Sequence, residues 1–238
     1  SQVGSQTANI GRGVVLSSHS LPSTVPGTTI DRQCGSSQQA IHFAAQAVMS
    51  GVQDVVIAAG VEHMTSVPIG GNIAAGFKAG HGLPMDETMR GKYGKRLEER
   101  GQRMFSQFEG AEILAEKYKI TRKEMDAFAV ASHAKAVKAT KNGYFVKEIV
   151  PLKGTDKNGN TVIHDKDEGI RPGTNMASLA KLPSMKKIQS GGKLDGMITA
   201  GLSSQICDGA AAILICNEAG LKKLGVRPRA KVVSLALA

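Results

Sequence analysis

Two short runs of the chain, "VVIAAG" (Val55 to Gly60) and "GAAAILIC" (Gly209 to Cys216), carry no charged residue and stop well short of helix length. Apolar runs of this kind read as strands buried on both faces. About 150 residues of a different character lie between them. Residues 1–68 are small, apolar and sparsely charged; residues 69–204 are charged, with Gly- and Pro-rich loops and amphipathic helices; from 205 the small apolar style returns. This predicts one α/β core interrupted by an insertion. The first core part is 1–68, the inserted, mainly helical loop domain 69–204, the return to the core 205–225, and a further core segment begins at 226–238.

Within the first part, "GTTIDRQ" (Gly27 to Gln33) is a β-type run. It is followed by a helix over Gly35 to Met49 whose Ala40, Ile41, Ala44, Ala45, Ala47 and Val48 leave little polar face, so burial on most sides is expected. Strand, helix, strand in that order implies a parallel crossover. In the insertion, residues 108–118 and 121–143 read as helices. Thr121 and Glu124 form a capping box for the second, and Met125, Phe128, Ala129, Ser132, Ala136 and Val137 form its apolar stripe. "KEIVPL" (147–152), Asn158-Gly159 and "TVIHDKDE" (161–168) predict a hairpin. "RAKVVSLAL" (229–237) predicts a last strand, and an uncovered apolar strand predicts self-association as a dimer or tetramer.

Bulk properties exclude several classes. No run reaches the roughly 18 uncharged apolar residues of a membrane span, and no basic-then-apolar leader opens the chain, which reads as cytoplasmic. Cys34, Cys207 and Cys216 are odd in number and lack CxxC spacing, which argues against a disulfide framework or a structural metal. The formal charge of +10 is concentrated in Lys78–Lys193, with 23 of the 30 basic and 14 of the 20 acidic residues. Bases and acids alternate there, as in "RGKYGKRLEERGQR", without a nucleic-acid-binding motif. A small polyanion bearing several phosphates suits one basic lobe better than a nucleic acid does.

Cys34 falls at the junction between the β-type run and the buried helix. The first amides of a helix lack intrahelical acceptors, and the helix dipole adds about half a positive charge there. A thiolate at that point is stabilised, and the same amides can donate to an oxyanion formed on an attacked carbonyl. The residues alone leave open the alternative that Cys34 is a small buried core residue.

The stretch "DRQCGSSQQAIHFAAQAVMSGVQDVVIAAGVEHMTSVP" closely resembles the active-site region of the thiolase family of acyl-CoA acyltransferases. "GAEILAEKYKITRKEMDAFAVASHAKA", "GYFVKEIVPL", "DEGIRPGTNMASLAKL", "TAGLSSQICDGAAAILI" and "PRAKVVS" follow in that family's order. The resemblance implies a layered α/β core, a mixed sheet with buried helices, interrupted by a CoA-binding loop domain. It implies Cys34 as the nucleophile that carries the acyl group, and Arg171, Ser178 and Ser204 as CoA-binding residues. No bound cofactor is implied; acyl-CoA and CoA are substrates. Locally, Arg171 can equally be a surface ion-pair partner, Ser178 a helix-start cap and Ser204 a turn residue.

Two departures from the family pattern shape the expectation further. Gly-His-Pro, Cys-x-Gly-Gly-Gly and Asn-Glu-Ala-Phe segments are not found, none of the six histidines matches the catalytic one, and neither Cys207 nor Cys216 stands in for the second cysteine. The chain therefore resembles the central portion of a thiolase, not expected to turn over alone; a non-catalytic CoA-binding module is the alternative. Where short-chain biosynthetic members carry His-Met, this chain has Ser106-Gln107. That pair borders the acyl pocket, so a larger acyl chain and degradative 3-ketoacyl-CoA thiolysis are expected.

Overall fold

The two apolar runs pair with each other. In the computed structural model, which describes residues 3–156 and 158–237, the helices are α1 (Ile10–Ser17), α2 (Ser36–Met49), α3 (Gly71–Lys78), α4 (Glu87–Glu99), α5 (Gln107–Tyr118), α6 (Arg122–Lys141), α7 (Met176–Ala180), α8 (Met185–Gln189) and α9 (Glu218–Leu224). The strands are β1 (Val55–His63), β2 (Leu152–Thr155), β3 (Thr161–His164) and β4 (Asp208–Cys216). β1 and β4 run antiparallel, from Val55 opposite Cys216 to His63 opposite Asp208. Two compact units result, one from Ser1–Leu83 with Ile206–Ala238 and one from Pro84–Gln205.

In the first unit the expected parallel crossover is absent among the described residues. The run from Gly27 to Arg32 joins no sheet. Its polar groups go to the start of α1 instead: Asn9 Nδ2 donates to Gly27 O at 2.7 Å, Gly11 N to Thr29 Oγ1 at 3.2 Å, and Thr29 Oγ1 to Asn9 Oδ1 at 3.0 Å. Glycines at 11 and 27 permit the approach, since a Cβ on Gly27 would lie 2.6 Å from Arg12 N. The Thr29 hydroxyl, bonded to residues 18 and 20 positions away, thus overrides β propensity. The expected strand over 229–237 likewise makes no ladder among the described residues.

α2 packs on β1, and a Cβ on Gly60 would touch Ser37 Cβ at 3.7 Å. Gln39, His42, Ala44, Ala45 and Val48 form the buried face of α2, while Phe43 and Met49 are exposed, so the helix is amphipathic and not buried all round. Neither strand is covered on both faces: Ala58 is buried, but Ile57, Val61, Leu214 and Ile213, the last 51% exposed, are not. A two-stranded ribbon with one large helix on it buries only part of its side chains.

The second unit is organised around carboxylates. Glu109, Glu112 and Ala115 share one face of α5 and are buried. Glu109 pairs with Arg100 and, at 3.1 Å, with Lys186 Nζ. Glu112 Oε1 accepts from Met197 N at 2.8 Å and from Ile198 N at 2.9 Å. On α6 the capping box forms as expected, but the inward face carries Asp126 and Ala129. Phe128, expected in the stripe, is 76% exposed. Asp126 takes the inward place because Arg122 Nε donates to it at 2.9 Å while Arg122 Nη2 donates to Leu179 O at 2.6 Å.

The hairpin is present but shorter than expected, β2 with β3. Residues 145–149 curl into turns, with Ile149 N donating to Phe145 O at 3.0 Å, so the first strand begins only after Pro151. Asp156 closes the hairpin by accepting from Asn158 N at 2.8 Å and Asn160 N at 2.9 Å.

Removing the Glu112 carboxylate strands two amides beside a buried segment. Glu112→Ala is expected to lower unfolding stability by about 2–4 kcal/mol in urea titration. Gly196→Ala, whose Cβ would fall 2.2 Å from Glu112 Oε1, perturbs the same contact. The double variant should therefore lose less than the two single losses together.

Candidate active site

Cys34 occupies the single 3-10 turn Gln33–Gly35 that leads into α2. Several local bonds shape this turn. Gln33 N donates to Asp31 Oδ1 at 2.9 Å, Gly35 N to Arg32 O at 2.9 Å, Arg32 N to Ser36 Oγ at 2.9 Å, and Ser36 Oγ to Gln33 O at 2.8 Å. Gln33 is held at φ +45°, a left-handed conformation uncommon for a residue with a side chain, directly before the cysteine. The helix that follows has no side-chain cap at Gly35 and no acidic residue in its first turn, so no carboxylate of its own offsets the positive end of its dipole.

Cys34 is exposed, which removes the reading of it as a buried core residue. A cavity of about 480 Å³ opens beside it, lined by Cys34 with Arg32 and Gly35, by Gln38, and by Ala236 and Leu237. The Arg32 side chain folds back along the turn: its Cδ lies 3.6 Å from where a Cβ on Gly35 would stand. Cys207 is exposed outside any element, and Cys216, at the end of β4, is half-buried.

The other candidates belong to the second unit. Arg171, Ser178 and Ser204 are all exposed. Arg171 lies in the loop before α7, and its backbone N donates to His133 Nδ1 on α6 at 3.2 Å. Ser178 completes a capping box with Asn175: Ser178 N donates to Asn175 Oδ1 at 2.9 Å and Asn175 N to Ser178 Oγ at 3.2 Å. Ser204 Oγ donates to Gln205 O at 3.1 Å. Gln205 Nε2 donates to Gly169 O at 3.0 Å, which joins the Ser204 segment to the Arg171 segment. Ser106 is the N-cap of α5, accepting from Glu109 N, and Gln107 is its first residue, exposed. Sequence reading passed over His133 and Gln205, because no spacing pattern announces a partner 38 or 36 residues away.

A third cluster marks the far end of the β1–β4 ladder. Asp208 Oδ1 accepts from Thr65 N at 2.9 Å, His63 Nε2 lies 3.2 Å from Asp208 Oδ2, and Ser66 Oγ lies 2.5 Å from His63 Nδ1.

An exposed cysteine thus stands at an uncapped helix start, in an α/β core interrupted by a helical lobe. The chain belongs to the thiolase family: the model of the thiolase N-terminal domain matches residues 1–219. It is similar to a steroid 3-ketoacyl-CoA thiolase of Mycobacterium tuberculosis, 40% identical over 230 residues, covering 97% of this chain and 52% of that protein. A 3-ketoacyl-CoA thiolase of Alcanivorax borkumensis is 37% identical over 237 residues, covering 100% of this chain and 55% of that one. Among solved structures, the acetyl-CoA acetyltransferase of Bacillus anthracis superposes with a TM-score of 0.69 at 30% identity, over 95% of this chain and 54% of that one. The chain thus spans about half the length of the curated relatives it matches.

The Asp208 cluster yields a pH test. The Thr65 backbone N–H, then its hydroxyl, and more weakly the neighbouring His63 and the Met64 N–H hold this carboxyl below the usual aspartate range, against an opposing desolvation effect. A carboxyl lowered in the folded state stabilises above its unfolded pKa, and that stability is lost as pH falls through the folded value. Thermal stability should therefore decline on acidification below about pH 4. Asp208→Asn should start less stable at pH 7 and decline less steeply, which melting curves from pH 7 to pH 3 would show.

Proposed function

We propose that the protein of which this chain forms part is an acyl-CoA acyltransferase that cleaves 3-ketoacyl-CoA to acetyl-CoA and a shortened acyl-CoA, or runs the reverse condensation. The observation that carries this reading is Cys34, exposed in its cavity at the uncapped start of α2. In the cleavage direction the Cys34 thiolate attacks the 3-keto carbon, and the carbonyl oxygen takes the negative charge. Amides at the helix start suit that oxyanion. When the carbonyl re-forms, the bond between C2 and C3 breaks, its electron pair passes to the acetyl-CoA enolate, and C2 takes a proton from a general acid. A second CoA thiolate then attacks the Cys34 thioester and releases the free thiolate.

Arg171, Ser178 and Ser204 are the residues proposed to bind CoA, and Ser106 and Gln107 to border the acyl pocket. The concentration of basic residues in Lys78–Lys193 supports a polyanionic substrate. The exposed Ile57, Val61, Ile213 and Leu214 support self-association through the β1–β4 sheet, as a homodimer or homotetramer. No helix among the described residues is long and apolar enough to cross a membrane.

Peptide-resolved iodoacetamide kinetics test the nucleophile. Cys34 should alkylate at least about tenfold faster than Cys207, which is also exposed. Acetyl-CoA should leave an acetyl group on Cys34 that hydroxylamine removes, and Cys34→Ala should abolish it. Equal rates at the two cysteines, with no acetyl adduct, would sink the acyl-transfer reading; CoA binding without an adduct would favour the non-catalytic module.

A further inference from the structure

The loop that carries Arg171 is pinned along its backbone, while its guanidinium has no hydrogen-bond or ion-pair partner among the described residues. Gly169 N donates to Asp167 Oδ1 at 2.8 Å, Gly169 O accepts from Gln205 Nε2 at 3.0 Å, and Arg171 N donates to His133 Nδ1 at 3.2 Å. Beyond Arg171, its carbonyl accepts from Thr174 N at 3.2 Å and from Thr174 Oγ1 at 2.9 Å. Three of these contacts are local, whereas His133 and Gln205 reach the loop from chain segments 38 and 36 residues away. Gly169 fits tightly, since a Cβ there would meet Gln205 Cγ at 3.2 Å. The Arg171 side chain is exposed and makes no hydrogen bond or ion pair with the described residues.

We propose that His133 and Gln205 are positioning residues that clamp the 167–171 loop so that Arg171 is presented, already ordered, to a phosphate of CoA. The inference rests on the CoA-binding reading of Arg171 and adds what makes that arginine effective. A backbone N–H can only donate, so His133 Nδ1 serves as the acceptor in this contact. Fixing the backbone on both sides of the arginine removes ordering entropy that CoA binding would otherwise have to supply. An arginine on a free loop loses that advantage without losing its charge.

The test uses the 238-residue chain, with CoA affinity from calorimetry and backbone amide exchange at Arg171 from NMR. His133→Ala should weaken CoA binding roughly 3- to 10-fold, the range of one hydrogen bond, and should speed exchange of the Arg171 amide. His133→Asn, whose Oδ1 can take the place of Nδ1 as acceptor, should restore both readouts to within about twofold of the starting chain. In an Arg171→Ala background, His133→Ala should have no further effect on affinity. Unchanged affinity and exchange in His133→Ala, or an effect of equal size with and without Arg171, would overturn the clamp. If the starting chain does not bind CoA, the CoA reading of the lobe falls, while Arg171 exchange in His133→Ala still decides whether the tether exists.

Discussion

The antiparallel ladder between β1 and β4 is the constraint on which the first unit depends. It joins residues 55–63 to residues 208–216 and is fastened by side chains at both ends. At one end, Asn217 Nδ2 donates to Asp54 Oδ1 at 2.9 Å and Asn217 N to Asp54 O at 3.1 Å; at the other, Asp208 holds Thr65. Gly220 allows α9 to close over the first end, because a Cβ there would lie 2.4 Å from Asp54 O. Closing so long an excursion costs only slightly more entropy than closing a short one, since the cost grows with the logarithm of loop length. A 122-residue lobe, 84–205, can therefore sit between two strands that still find each other.

That lobe solves its packing differently. Phe105, Tyr118, Phe128 and Tyr144 stay exposed there, while three carboxylates, Glu109, Glu112 and Asp126, occupy buried positions. A buried carboxylate is tolerable only when fully paired. Each of these meets that condition through a cation or backbone amides, and for Glu112 the partners lie 85 and 86 residues away. Charged contacts of this sort are directional in a way that apolar packing is not. They fix which residues of 195–199 face α5.

What was legible in the sequence was local. The Thr121–Glu124 capping box, the turn at Asn158-Gly159 and the helix following Cys34 all depend on residues within a few positions of one another, and all are present. The place of Cys34 before a helix was legible for the same reason. The failures came where a side chain had a distant alternative. Thr29 bonds to Asn9 and does not enter a strand, and Asp126 displaces Phe128 from the inward face of α6 because Arg122 and the Leu179 carbonyl stand beside it. Likewise His133 reads as an ordinary helix residue until the Arg171 amide is seen at its ring. No periodicity encodes such partners.

The helix starts tell the same story in reverse. α1, α4, α5, α6, α7, α8 and α9 each begin with an Asn, Asp, Ser or Thr whose side chain accepts a backbone N–H, whereas α2 begins at Gly35 and the short α3 at Gly70 without one. Relative to glycine a side-chain cap would contribute only a few tenths of a kcal/mol, but seven of the other helices have one. A side-chain oxygen at Gly35 would occupy amides of the first turn of α2, whereas a Cβ there would make only ordinary contact with the Arg32 stem at 3.6 Å. Stability is thus relinquished at the one long helix that follows the exposed cysteine. That is where a local rule of folding should give way if the donors are reserved for a ligand.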